Sequence, residues 1–261
     1  MTEHQHEMTL DPPGRIAVIG AGPLGLEAAL YGRFLGYDVT VFERGEVGQS
    51  LRDLADQPLP MLPSACLSPL AWSAVSAQHG SGGTFPTAAL PLTIGQWLTA
   101  GLQPLANSDL LRGRVWTGHE VVGIELVEVE LDDADASGQG LDDEDADAYI
   151  DGEVPADFRL SIRWDQQQAN YRSGSIWPAD AAVDFEAVIL AIGSNSPAAI
   201  AGFDQCRHSP YFFHLGGAGG EAAGSGESAD QALRTGWQAI VRLYAQLGGR
   251  SDLDLYRPLR V

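Results

Sequence analysis

The chain has 261 residues, 44% of them hydrophobic, with 35 acidic side chains against 15 basic ones and a formal net charge of −20. Every basic residue is Arg, since the sequence contains no Lys. That length suits one large domain or two modest ones with a real core. A surface this acidic repels nucleic acid and anionic membranes, which excludes both as partners.

Residues 1–13 are polar and read as a tail, not as a targeting segment. His4 and His6 belong to that tail and are not taken as metal ligands. No apolar run reaches the length of a membrane span. In "RIAVIG" (15–20) an apolar run stops at glycine, as in a strand buried on both faces of a parallel sheet. "PLGLEAALYGRFLG" (23–36) predicts a helix. Leu26, Ala29, Leu30 and Phe34 recur at helical spacing, and Gly36 is its C-terminal stop. "YDVTVFER" (37–44) is a second strand. Together these make a βαβ unit of about 30 residues.

Residues 45–89, rich in Pro, Ser and Gly, show no clear period. Residues 92–106 predict an amphipathic helix with Ile94, Trp97, Leu98 and Leu102 on one face. Residues 114–131 read as one or two strands, and 131–157 as an acidic, solvated loop. The Asp residues of that loop do not fit the spacing of a calcium-binding hand. "DFRLSIRW" (157–164) alternates as a half-exposed strand, with "GSIWP" (174–178) as a candidate partner. "DFEAVILAIGSNSP" (184–197) is a buried-type strand ending at Gly193, and "PYFFHLGG" (210–217) is another. Residues 228–249 predict a helix capped by Ser228, with Leu233, Trp237, Ile240, Val241 and Tyr244 facing the core. Cys66 and Cys206 form no CxxC pair, which fits a reducing, cytoplasmic setting.

The chemistry is concentrated at Gly20-Ala-Gly22-Pro23-Leu24-Gly25. In a GxGxxG turn the first glycine turns out of the strand and the second lets a pyrophosphate approach the backbone. The third packs the helix closely on the strand. The helix N-terminus, opened by Pro23 and Leu24, offers free N–H groups and its dipole to the phosphates. Glu43, about 20 residues on, can accept hydrogen bonds from ribose hydroxyls and would repel a 2′-phosphate. The site therefore favours FAD or NAD over NADP, with Arg44 the opposing charge beside it.

The βαβ unit, the alternating strands at 114–178, "AVILAIG", the glycine-rich turn and the last helix follow one another in a known order. It resembles the FAD part of the two-dinucleotide-binding flavoproteins. Within them, "VTVFERGEVGQSLRD" and "YFFHLGG…SGESADQALRTGWQAIV" resemble proteins like the pyridine-nucleotide-disulfide reductases and the flavin-containing monooxygenases. The resemblance implies an α/β fold: an FAD/NAD(P)-binding, Rossmann-like parallel sheet with helices, an inserted helical segment and an antiparallel β-meander. It implies FAD as cofactor, redox chemistry at the flavin, and a small-molecule substrate or a redox partner protein. Gly193, Gly216 and Gly217 would lie at the cofactor, and Arg52 would reach its phosphates.

The chain departs from the superfamily twice. No second GxGxxG follows a strand, so the nested NAD(P)H domain is missing and reducing equivalents must come from elsewhere. Gly216-Gly217 stands where the superfamily has Gly-Asp, leaving Glu221 or Asp230 as possible substitutes. The expected boundaries are a tail at 1–13, a discontinuous FAD-binding domain at 14–62 and 184–250, an insert at 63–183, and a tail at 251–261. Cys66 and His214 are the candidates for catalysis, with His79 and His208 as further flavin-side histidines, although each also reads as a packing residue. His119 reads as a satisfied sheet histidine, and Trp97, Trp177 and Trp237 as core. No metal site is expected. Two other readings stay open: a degenerate dinucleotide-binding sensor or interaction protein, and an NAD-binding Rossmann enzyme.

Overall fold

A computed structural model describes residues 9–78, 91–127, 157–164, 184–193, 199–216 and 228–257. The expected acidic loop and the strand at 174–178 lie outside the described residues, as do His4, His6, His79, Trp177, Gly217 and Glu221.

Strand β1 (Arg15–Ile19) is followed by helix α1 (Pro23–Phe34) and strand β2 (Asp38–Glu43). A helical turn α2 (Gln49–Arg52) and helix α3 (Pro69–Ala77) come next. Helix α4 (Ile94–Trp97) runs through a π-turn at Leu98–Leu102 into α5 (Gln103–Ala106). Pro104 has no N–H to give an ordinary helical bond, which suits a locally widened turn. Strands β3 (Val115–Thr117), β4 (His119–Val127), β5 (Asp157–Trp164), β6 (Asp184–Phe185) and β7 (Ala187–Leu190) follow. The chain closes with α6 (Phe203–Cys206), β8 (Phe212–His214) and α7 (Ala229–Leu247).

Two sheets form. The first has five strands in the order β3-β2-β1-β7-β8. All its pairings are parallel. The second is antiparallel, β4-β5-β6, and β6 leads directly into β7. This is the doubly wound, Rossmann-like architecture with a meander that the sequence implies. β3 falls inside the segment expected as an insert, yet it forms the edge of the parallel sheet beside β2, with Glu43 opposite Thr117.

β1 and β7 are apolar because both faces are covered: Ile16 to Val18 and Ala187 to Leu190 are fully buried. α1 is buried from Gly25 to Gly32 because it lies between the sheet and α7. Two glycines allow that approach. A methyl on Gly32 would sit 2.3 Å from the Tyr244 hydroxyl, and one on Gly236 would sit 2.4 Å from Leu24. The buried face of α7 differs in part from the expected one. The helix buries Leu233, Gly236, Ile240, Leu243, Tyr244 and Leu247, while Trp237 and Val241 are only partly covered. Phe34, expected on the buried face of α1, is 46% exposed. The 94–102 face is buried as expected, and Ser228 caps α7 by accepting from the Gln231 N–H.

Candidate functional site

The carboxyl ends of the parallel strands open onto a cleft of about 320 Å³. In such sheets ligands bind where the strand order reverses, because loops from adjacent strands diverge there. Here the reversal lies at β1: the chain winds outward through β2 and β3, then returns to β7 and β8 on the other side. Gly20 and Gly22, just after β1, therefore lie mid-cleft. Glu43, Arg44 and His119 line one arm, and Gly193, Leu215 and Gly216 the other.

The three motif glycines meet different surroundings. Gly20 has φ +107°, and a Cβ there would lie 2.5 Å from the Ala191 carbonyl oxygen. At Gly25 a Cβ would lie 1.9 Å from the Gly20 oxygen, so only hydrogen permits this helix–strand contact. A Cβ on Gly22 would meet nothing within 4 Å. It would point into open cleft, the space a bulky anionic group needs to reach the backbone. Gly22 is also the N-cap of α1, with no side-chain hydrogen bond across that end and Pro23 in the first turn. The first intrahelical bond runs from the Leu26 N–H to the Gly22 oxygen, 3.0 Å. The N–H groups of Gly22, Leu24 and Gly25 thus have no helical acceptor and carry the positive end of the dipole.

Glu43 is 8% exposed and tied to this loop. Its Oε2 accepts from the Ala21 N–H at 2.8 Å, and its Oε1 from the Gly45 N–H at 2.9 Å. Each carboxylate oxygen can accept more than one bond, so Glu43 keeps acceptor capacity toward the cleft. The Gly45 carbonyl in turn accepts from the Gly118 N–H, 3.0 Å, which ties the β2 end to the turn between β3 and β4. Arg44 is exposed on the cleft wall.

The remaining sequence candidates divide. Pro23, Leu24, Gly193 and Gly216 line the cleft, with Gly193 at φ +62° and Gly216 at φ +70°. Arg52 does not line it, and its guanidinium pairs with Glu46. Cys66 is not a cleft residue either. It is 3% exposed, and desolvation pushes its thiol up to about 11, so the reactive thiolate is scarce at neutral pH. His214 lies on β8 with its ring against Phe203, outside the cleft lining. His208 is exposed and receives a hydrogen bond from Arg207. Trp97 is core, 3% exposed. Asp230 pairs with Arg234 one turn along α7.

The sequence reading missed His119. It is 1% exposed and lines the cleft. Its Nδ1 lies 2.8 Å from the Thr117 carbonyl oxygen, and its Nε2 is buried with no hydrogen-bond partner among the described residues. The expectation of a satisfied sheet histidine is half right. The missing signal was β3: only a parallel third strand brings residue 119 to the ligand end of the sheet. Glu120, also in the cleft wall, pairs with Arg163 across the meander. Among the described residues no cluster of three or more His, Cys, Asp or Glu could hold a metal ion. No helix among them is long and apolar enough to cross a membrane.

Residues 15–54 match the family described as pyridine nucleotide-disulphide oxidoreductase. That stretch is the βαβ unit and the turn after it. Among curated proteins none matches significantly. Solved structures show distant likeness. THI4 of Thermovibrio ammonificans is 14% identical, with 90% of each chain covered and a TM-score of 0.49. OTEMO in complex with FAD and NADP is 16% identical, covering 72% of this chain and 27% of that one, at a TM-score of 0.37. An oxidized steroid monooxygenase bound to NADP is 18% identical, covering 70% and 26%, at 0.38. The chain thus spans only 27% of the OTEMO chain.

Proposed function

We propose that the chain is a FAD-binding, oxidoreductase-like flavoprotein whose dinucleotide lies across the carboxyl ends of the parallel strands. The observation that carries this reading is Gly22: a position open to the cleft, at a helix end with unused N–H donors, beside the Glu43 carboxylate. In this reading Gly20, Gly22 and Gly25 shape the pyrophosphate cradle, and Pro23 and Leu24 open the helix that faces it. Glu43 accepts from the adenosine ribose, and Arg44 lies at the rim. Gly193 and Gly216 belong to the flavin half. The flavin, when bound, supplies the electron transfer; the chain binds, orients and screens it from water. Arg52 is left out of the binding set because Glu46 holds it.

In this reading the FAD-binding domain comprises residues 14–62 and 184–250 with β3 added at its edge, and residues 63–183 otherwise form the insert. Two buried, free cysteines support a reducing, cytoplasmic setting. A small oxidant or reductant, or a redox partner protein, would exchange electrons with the flavin.

The test is an absorbance scan of purified protein followed by FAD titration, for wild type and Gly22→Ala. The reading expects flavin absorbance or saturable uptake in the wild type. In the variant it expects at least about tenfold weaker uptake, because a methyl enters the space for the phosphate, with only a small drop in melting temperature because alanine is the poorer N-cap. No uptake by wild type would refute it. Stabilisation by NAD alone would favour a nicotinamide-dependent Rossmann enzyme instead. Bound FAD that never turns over with any donor and acceptor would favour the sensor reading.

A further inference from the structure

We infer that residues 253–257 form a proton-operated latch on α1: the segment docks while Glu27 is protonated and loosens when Glu27 ionises. The inference goes beyond the dinucleotide reading and does not depend on it. It starts from how the segment is held. Much of its polar bonding is internal. The Leu253 and Arg257 N–H groups donate to the Arg250 and Asp254 carbonyls, the Tyr256 N–H to the Asp254 carboxylate, and Asp254 pairs with Arg257. Two bonds tie it to α1: the Leu255 N–H donates to the Tyr31 hydroxyl at 3.0 Å, and the Tyr256 hydroxyl to Glu27 Oε1 at 2.9 Å. The Tyr256 ring lies edge-on to Tyr31 at 5.4 Å and tilted against Trp237 at 6.2 Å. A segment held this way, outside both sheets, can open locally while the sheets stay intact.

The docked segment helps to close water out of the Glu27 site. Glu27 is 2% exposed, and its other partner is the Ser68 hydroxyl, the N-cap of α3. The groups around it carry no opposite charge to hold it ionised. α3 has no charged side chain, and α7 presents Tyr244, which donates to the Ala28 carbonyl beside Glu27. The charges of α7 are Asp230 and Arg234, which pair with each other, and Arg242 further along. The other charge of α1 is Arg33, near its far end. Asp254 and Arg257 move with the segment as a pair, so their titration is largely common to the docked and released states. Burial pushes Glu27 up to about 7 against its two hydroxyl donors. Tyr256 keeps its proton, because burial and Glu27 itself both raise it. Release lets water reach the carboxylate and returns it toward its ordinary range. The docked state therefore binds the proton more tightly, and docking weakens as pH rises to about 7. The latch also braces the site: Tyr256 spans α1 and α7 about one turn from Leu24 and Leu233, which line the cleft.

The experiment is amide hydrogen exchange on the full-length protein at pH 5 and pH 7, read by mass spectrometry and corrected for the intrinsic effect of pH on exchange. Protection of residues 253–257 should fall by about tenfold from pH 5 to pH 7, within the factor of ten per pH unit that one linked proton allows. It should stay below the protection of α7 at both pH values, as local opening requires. Glu27→Gln is neutral at both and keeps an oxygen for the Tyr256 hydroxyl, so its segment should stay protected at pH 7. Equal wild-type protection at the two pH values overturns the inference. So does a pH dependence that persists in the Gln variant, or protection equal to that of α7, which would mean that the segment opens only with the whole fold. If the Gln variant does not fold, the wild-type comparison of the segment with α7 at the two pH values still decides.

Discussion

Glu27 offers a sharp test of how burial sets stability here. It sits in the middle of α1, 2% exposed, between α3 and the C-terminal segment. Its Oε1 accepts from the Ser68 hydroxyl at 2.6 Å and from the Tyr256 hydroxyl at 2.9 Å. Desolvation outweighs those two donors and pushes the carboxyl from 4.5 up to about 7. The sign follows from proton binding. Between 4.5 and about 7 the folded chain holds a proton that the unfolded chain has released. Stability from this group is therefore complete below pH 4.5, falls as pH rises, and is gone above about 7. At about 1.4 kcal/mol per pH unit, that interval is worth roughly 3 kcal/mol. Glu27→Gln removes the titration while keeping an oxygen that both hydroxyls can reach. Urea unfolding of both proteins, followed by tryptophan fluorescence from pH 4.5 to 8, isolates the effect because the acidic background is shared. The variant should gain about 2–3 kcal/mol on the wild type across that range. Parallel stability–pH curves would refute the reasoning, since they would mean that Glu27 is hydrated and titrates as in the unfolded chain.

Other outcomes follow from single contacts. Gly25→Ala should destabilise the fold by several kcal/mol, because its methyl would lie 1.9 Å from the Gly20 oxygen; thermal melting checks this, with Gly22→Ala as the far milder neighbour. Gly32→Ala should separate α1 from Tyr244 and lower the melting temperature, and the double variant with Tyr244→Ala should lose less than the sum of the two single losses. Native Cys66 should resist alkylation at pH 8 and react fully in urea, since its thiol is buried and pushed up to about 11. Ser228→Ala should cost about 1 kcal/mol in urea unfolding by removing the α7 cap.

Much of the fold was legible in the sequence because its signals are local. An apolar run ending in glycine defines β1 without knowledge of any other strand. Gly20 and Gly25 hold a backbone geometry that only hydrogen side chains allow, Gly22 between them opens onto the cleft, and Glu43 follows at the distance one helix and one strand dictate. Cap and stop signals at Ser228 and Gly36 act within a few residues of themselves.

What tertiary structure alone decided involves partners far apart in sequence. β3 is a short strand whose sheet position depends on pairing with β2, and that pairing carries His119 to the cleft. Arg52, expected at the cofactor phosphates, is instead set against Glu46 by the fold. Gly32 and Gly236 let two helices approach, and helical period alone does not report which small residues meet. Glu27 reads in sequence as an ordinary helix-surface acid. Its burial depends on Ser68 and Tyr256, which lie 41 and 229 residues away along the chain. The sequence thus determined the glycine turn after β1, where backbone geometry is local. The tertiary structure determined which side chains complete the cleft around it, because desolvation and hydrogen-bond partnership exist only once distant segments have packed.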